Sequence, residues 1–276
     1  MSKTWFIAGA SRGLGRAWAI AALERGDRVA ATVRDEADLR ALAKRYGGQL
    51  LVVRLDVADR AAVFAAVEKA ANHFGRLDIV IANAGYALFG TVEESSEQAS
   101  RAQFDTNFFG ALWVAQAALP RLRAQGAGHI LVTSSLAGIV AFPTAGVYNA
   151  TKWAVEGLFE TLALEVAQLG IKVTLIEPGG YATDWRGASA DHAEEMAAYD
   201  GLREELRANH VSRQLGDPAA TGPAILAVTD AAEPPLRLFL GTMGLPAAER
   251  AYAERLRTWQ AWQSVSAAAQ GDAPAQ

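Results

Sequence analysis

Seven short apolar runs rich in β-branched residues recur along the chain, at Thr4 to Ala8, Arg28 to Val33, Leu50 to Leu55, Leu77 to Ala82, His129 to Ser134, Ile171 to Glu177 and Leu236 to Leu240. Between them lie segments with helix-forming residues at helical spacing: Leu14 to Arg25, Ala37 to Tyr46, Asp59 to Phe74, Gln98 to Ala124 and Val147 to Leu169. Runs that are apolar without polar alternation suit strands covered on both faces. Alternation with helices then makes each pair of strands a βαβ crossover. The expected fold is a doubly wound parallel α/β sheet of about seven strands in one domain, residues 1–263. Gly26, Gly47, Gly75, Gly126 and Gly170 stand where helices end. The rhythm breaks once, from Thr183 to Asp217, where a polar, partly helical insertion (Ala190 to Asn209) replaces a strand. A lid over about 184–216 is the expected form of such an insertion. A helix begins near Pro218, a last one runs from Pro246 to Gln263, and the Ala, Gln and Pro tail at 264–276 is expected to fray.

Several function classes are poorly supported. Of 276 residues 51% are hydrophobic and 20% charged, with a net charge of -4, so no excess of Lys and Arg is available for a nucleic-acid groove. There is no Cys, which removes disulfides, thiolate nucleophiles and cysteine metal sites and fits a reducing cytoplasmic setting. The four His (His73, His129, His192, His210) are scattered and form no ligand pair, so no catalytic metal is expected. No stretch approaches the roughly 20 apolar residues of a bilayer span, and no membrane partner is expected.

Gly9-Ala10-Ser11-Arg12-Gly13-Leu14-Gly15 follows the first strand and opens a helix. Glycines there allow a tight turn and close approach to a pyrophosphate, whose charge the helix N-terminus favours. A plain strand–helix turn also takes this spacing, but its place after strand one favours a Rossmann-type site. NAD sites carry an acidic residue after the second strand to hold ribose hydroxyls. Here that strand ends Thr32-Val33-Arg34, and Arg34 with Arg12 offers two guanidinium groups to a 2'-phosphate. NADP(H) is the expected cofactor; the competing reading makes both arginines solvated surface residues.

Tyr148-Asn149-Ala150-Thr151-Lys152 lies near a helix start, and a spacing of four places phenol and ammonium on one face. A cation beside a phenol favours phenolate and brings acid–base work nearer neutral pH. Ser135 follows the fifth strand and Asn83-Ala84-Gly85 the fourth, so these groups gather at strand C-termini, where open α/β sheets bind ligands. Alone, Ser135 reads equally well as a turn serine.

Taken in order, Gly9-x-x-x-Gly13-x-Gly15, Asp56-Val57, Asn83-Ala84-Gly85, Asn107, Ser135, Tyr148-x-x-x-Lys152 and Pro178-Gly179-x-x-x-Thr183 resemble the short-chain dehydrogenase/reductase family from Lys3 to about Leu240. The runs Asn83 to Tyr86 and Phe104 to Gly110 are similar to members near the 17β-hydroxysteroid dehydrogenases and carbonyl reductases. The resemblance implies an NADP(H)-dependent oxidoreductase interconverting a ketone and a secondary alcohol. In it Tyr148 is the acid–base catalyst, Lys152 holds the nicotinamide ribose and lowers the phenol pKa, Ser135 binds the substrate oxygen, and Asn107 anchors a relay water. It further implies cofactor contacts from Gly9, Ser11, Arg12, Gly13, Leu14, Gly15, Arg34, Asp56, Val57, Asn83, Ala84, Gly85, Pro178, Gly179, Tyr181 and Thr183. One departure is Ala8, where the family usually has Thr; a side-chain hydrogen bond of about 1 kcal/mol is lost there.

Tyr86, Leu88, Val140, Phe142, Trp185, Met196 and Tyr199 form a candidate apolar pocket for a medium or bulky, largely uncharged ketone. Each of these residues reads alone as core or lid packing. A non-catalytic NADP(H)-binding sensor is the rival function, since fold does not establish function, although Tyr148 and Lys152 are both present. A sugar-nucleotide epimerase or dehydratase fits poorly with glycines at 9, 13 and 15. By the same resemblance the helices Gln98 to Ala124 and Val147 to Leu169 pair copies into a homodimer or homotetramer.

Overall fold

The computed structural model describes residues 2–187, 190–208 and 215–271. Nine strands and ten α-helices appear among them. In chain order they are β1 (Thr4–Ala8), α1 (Gly13–Glu24), β2 (Arg28–Val33), α2 (Arg40–Tyr46), β3 (Leu50–Arg54), α3 (Arg60–Phe74), β4 (Ile79–Ala82), β5 (Leu88–Phe89), α4 (Glu97–Phe104), α5 (Gly110–Gln125), β6 (Gly128–Thr133), α6 (Gly146–Val166), β7 (Ile171–Pro178), β8 (Asp191–His192), α7 (Asp200–Ala208), α8 (Gly222–Asp230), β9 (Arg237–Leu240), α9 (Gly244–Ala261) and α10 (Gln263–Ala268).

Seven strands form one parallel sheet in the order β3-β2-β1-β4-β6-β7-β9, and all seven correspond to the predicted apolar runs. The chain winds outward from β1 in both directions. Its reversal therefore lies between β1 and β4, which pair in register from Trp5 with Ile79 to Ala8 with Ala82, and the crevice at such a reversal is where doubly wound sheets bind ligands.

Alternate side chains of β1 enter opposite cores. Phe6 and Ala8 join Val63, Val67, Val114, Leu122 and Phe159 beneath α3, α5 and α6. Trp5 and Ile7 join Trp18, Leu23, Leu39 and Ile225 on the side of α1, α2 and α8. Burying a side chain such as Phe159 contributes roughly 2–3 kcal/mol, which is why these strands carry no polar alternation. Buried indoles keep a polar partner: Trp18 Nε1 donates to Thr221 Oγ1 at 2.8 Å and Trp5 Nε1 to Asp27 Oδ2 at 2.8 Å. Gly170 closes the α6 segment at φ 69°, and a Cβ there would lie 2.3 Å from the Gly126 carbonyl, so only glycine fits.

The predicted helix Gln98 to Ala124 is interrupted. One π-helical turn, Asp105–Phe109, separates α4 from α5. Within the predicted lid the described α-helix is Asp200–Ala208, and β8 pairs with β5 in a small second sheet; residues 188, 189 and 209–214 of that predicted lid lie outside the described residues. The segment at Pro218 is a 3-10 turn, Pro218–Thr221, before α8. Beyond α9, where fraying is predicted, α10 continues the helical path to Ala268 with every side chain exposed.

Candidate functional site

Four neighbouring strands, β1, β4, β6 and β7, deliver their C-terminal ends to one edge. Gly9 follows β1, Asn83 follows β4, Ser134 and Ser135 follow β6, and Pro178 ends β7. The glycine turn is held closely. Gly9 has φ 81° and a Cβ there would sit 2.8 Å from Ala84 Cα, while a Cβ at Gly15 would sit 2.2 Å from the Gly9 carbonyl. Loop, β4 end and helix α1 thus meet with no room for side chains. Thr32 Oγ1 accepts from the Gly9 N–H at 3.2 Å, so a hydroxyl from β2 is present where Ala8 cannot supply one. Arg16, which the sequence reading passed over, pins the loop by donating to the carbonyls of Ser11 (3.2 Å) and Asp38 (2.8 Å).

The turn has the chemistry of an anion site. Arg12 stands at the N-cap of α1 and makes no side-chain cap hydrogen bond, so the first-turn N–H groups remain for an acceptor. Leu14 packs on the core beside them. Arg12 is half-exposed, 3.9 Å from Asp184, and Arg34 is exposed at the end of β2. Gly13 faces the segment after β7, its Cβ position 3.4 Å from Thr183 Cγ2. In that segment Gly179 donates to the Leu240 carbonyl at 3.0 Å. Tyr181 bridges to Gly216, and Thr183 Oγ1 accepts from the Trp185 N–H at 3.4 Å. Beyond β3, Asp56 accepts from the Ala58 N–H at 3.0 Å and Val57 is buried against Gly110.

A polar chain runs from this loop to α6. Asn83 Nδ2 donates to the Gly9 carbonyl at 2.7 Å, Thr133 Oγ1 donates to Asn83 Oδ1 at 3.0 Å, and Lys152 Nζ donates to the Thr133 carbonyl at 2.8 Å. Asn107 sits in the π turn, 1% exposed. Its Oδ1 accepts from the Tyr86 N–H at 3.0 Å, and its Nδ2 donates to the Tyr86 carbonyl at 2.9 Å and to Thr151 Oγ1 at 3.2 Å. A Cβ on Gly85 would lie 3.1 Å from Asn107 Oδ1 and 3.7 Å from Lys152 Nζ.

Tyr148 and Lys152 share one face of α6, with Nζ 5.7 Å from the phenol ring centroid. Both are buried. Burial pushes the Tyr148 phenol up to about 12, opposed by hydrogen bonding with Ser135 and Trp185. Burial likewise pulls Lys152 down to about 8, opposed by the charge of Glu156. Burial thus outweighs the two hydrogen bonds at the phenol and raises it. Ser135 begins a 3-10 turn, its Oγ accepting from the Ala137 N–H at 3.1 Å.

The predicted pocket residues separate into groups. Trp185 packs edge-on against Tyr148, centroids 5.1 Å apart, and against Phe89 at 5.4 Å. Leu88 is buried in β5, and half-buried Tyr86 is tied by its backbone to Asn107. Val140 and Phe142 line a cleft of about 490 Å3 with Leu136, Met243, Ala247 and Arg250. Met196 and Tyr199 lie apart. The Met196 N–H donates to Glu94 Oε1 at 2.7 Å and the Tyr199 hydroxyl donates to Glu93 Oε2 at 2.5 Å. No residue of α9 was singled out from sequence as cleft lining, because only its docking brings it there.

Known proteins share both sequence and architecture. A family model described as short chain dehydrogenase matches residues 3–194. An oxidoreductase of Botryotinia fuckeliana, BOA17, is 40% identical over 273 residues, covering 97% of this chain and 99% of its own. The crystal structure of a short-chain dehydrogenase from Streptomyces avermitilis superposes with a TM-score of 0.89 at 34% identity, covering 97% of this chain and 98% of that one. An alcohol dehydrogenase from the archaeon Thermococcus sibiricus, complexed with 5-hydroxy-NADP, superposes with a TM-score of 0.73 at 26% identity, over 87% of this chain and 96% of that one. With its motifs gathered on one sheet edge and its relatives alike over nearly their whole length, this chain belongs to the short-chain dehydrogenase/reductase family of oxidoreductases.

Proposed function

We propose that the protein is an NADP(H)-dependent reductase that interconverts a ketone and a secondary alcohol, with Tyr148 as general acid and base. One observation carries this reading: a buried phenol, raised by burial, shares a face with a buried lysine and hydrogen-bonds with Ser135. The glycine turn, the uncapped start of α1 and the arginines Arg12 and Arg34 fit a phosphorylated dinucleotide. The residues to hold it are Gly9 to Gly15, Arg34, Asp56, Val57, Asn83 to Gly85, Lys152, and Pro178 to Thr183. When bound, the reduced nicotinamide supplies hydride. Ser135 and Tyr148 hydrogen-bond the carbonyl oxygen and stabilise the charge that develops on it. Tyr148 then delivers its proton to that oxygen. Lys152 stabilises the resulting phenolate, and Asn107 orders the backbone at Tyr86 and anchors water for reprotonation. A phenol that burial keeps protonated suits reduction, whereas oxidation needs it ionised and therefore gains from alkaline pH.

The apolar cleft beside Leu136 supports a medium or bulky, largely uncharged ketone as substrate. Exposed apolar side chains on the helices expected to pair, Phe109, Trp153 and Leu164, support a homodimer or homotetramer. No described helix is long and apolar enough to cross a membrane, and a cytoplasmic site of action suits NADPH chemistry. The test compares NADPH and NADH oxidation across a ketone panel for the parent and Tyr148→Phe. Consumption of NADPH that falls roughly 100- to 10,000-fold in the variant, with cofactor still bound, is the expected result. Binding of NADPH by both proteins with turnover by neither favours the sensor reading.

A further inference from the structure

At the far end of the Tyr148 and Lys152 face two carboxyl groups are buried together. Glu177 lies in β7, one residue before Pro178, and is wholly inaccessible; Glu156 lies in α6, one turn beyond Lys152, and is 6% exposed. A single guanidinium serves both. Arg237 of β9 donates from Nε to Glu156 Oε2 at 2.9 Å and passes 3.5 Å from Glu177 Oε1, while its Nη2 donates to Glu160 Oε2 at 2.9 Å. Glu156 Oε1, both Glu177 oxygens and the buried Ser134 hydroxyl make no well-formed hydrogen bond with the described residues. Ser134 and Glu156 are close enough for a Cβ on Gly138 to touch both, at 2.8 Å from Ser134 Oγ and 3.1 Å from Glu156 Oε1.

Two carboxylates sharing one partly engaged guanidinium in a desolvated site do not both ionise. The Ser134 hydroxyl is a donor within reach of Glu156 alone; the Glu177 oxygens have no well-formed donor, and a carboxyl proton is one. The groups facing the pair are Lys152 and Glu160 on α6, Arg237 on β9 and the Ser134 hydroxyl after β6. We propose that Glu156 and Glu177 are a proton-sharing pair holding one proton at neutral pH, whose residual negative charge keeps Lys152 cationic and in position. Both act through Lys152 and are positioning residues. Burial first, then the charge of Glu156, raises Glu177 to about 8, and burial raises Glu156. A carboxyl group raised in the fold stabilises it fully below its unfolded pKa of 4.5, and that contribution is lost as pH rises towards about 8.

The link to Lys152 rests on the reductase reading; the shared proton does not. Infrared spectra of the full chain at neutral pH are expected to contain a carboxylic-acid C=O band, sensitive to deuteration, that Glu177→Gln removes. Urea melts across the same pH range are expected to lose stability with rising pH in the parent and less steeply in Glu177→Gln. An absent band, or equal slopes, overturns the shared proton even where Glu156 variants fail to fold. In Glu156→Gln the alkaline limb of kcat/KM is expected about one pH unit lower, with Glu156→Asp restoring part of the shift. An unmoved limb in folded Glu156→Gln overturns the link. Where no ketone turns over, the same limb is read from the pH dependence of NADPH affinity, so failure of the reductase reading remains distinct from failure of this one.

Discussion

His129 shows at the scale of one residue how burial sets charge. Its ring lies in β6, 3% exposed, with Nε2 2.9 Å from Thr174 Oγ1 and Nδ1 making no hydrogen bond among the described residues. Desolvation, aided by the charges of Lys172 and Lys3, lowers its pKa to about 3. A base lowered in the fold binds more protons when unfolded, so its stabilising contribution is present above 6.5 and is lost as pH falls towards 3. The His129 contribution, read as the difference in thermal melts between the parent and His129→Gln, is expected to fall across that acidic window. His129→Gln is expected to flatten this part of the profile; an equally steep fall would assign the acid sensitivity to other groups. The same physics separates what was legible from what was not. Tyr148 and Lys152 could be paired from spacing alone, since an α-helix places residues four apart on one face. The raised phenol pKa could not, because it depends on burial by elements packed from elsewhere in the chain, against which the hydrogen bonds of Ser135 and Trp185 work. Thr32, which supplies the acceptor for Gly9, was likewise hidden, because it comes from a neighbouring strand.

Among the elements, helix ends were read more reliably than helix interiors. Helix α3 is capped by Asp59, whose Oδ1 accepts from the Ala62 N–H at 3.0 Å, and it closes on Gly75 at φ 80°. Asp59→Ala is expected to cost about 1 kcal/mol in urea denaturation, while Asp59→Asn retains most of the parent stability. Equal stability of Asp59→Ala and the parent would remove the cap as a stabilising element. The interior of the predicted helix Gln98 to Ala124 hid its π turn. Helix-forming composition is indifferent to one extra residue in a turn, whereas the hydrogen bonds of Asn107 to the Tyr86 backbone are long-range and fix that local register. The two-residue strands β5 and β8 were invisible for a related reason: each is defined only by the other, and neither is long enough to show a period.

For the whole molecule, the exposed apolar surface bears on assembly. Phe109, Trp153 and Leu164 are exposed on or beside the helices from which pairing was expected, and Leu245, Tyr252, Leu256 and Trp259 are exposed along α9. Light scattering is expected to return the mass of a dimer or tetramer, and Leu164→Glu to shift it towards the monomer; a monomeric parent would end that proposal. The parallel sheet, its seven strands and the order of motifs were determined by the sequence alone. Apolar strand runs, helical spacing and glycine at turns are local consequences of backbone geometry and burial, and each is written within a few consecutive residues. Tertiary structure alone decided the joining of Glu156, Glu177 and Arg237 and the closing of a cleft by α9. It also decided the parting of Met196 and Tyr199 from Val140 and Phe142. Contacts between residues far apart in the chain depend on how whole elements dock, and local spacing carries no record of that.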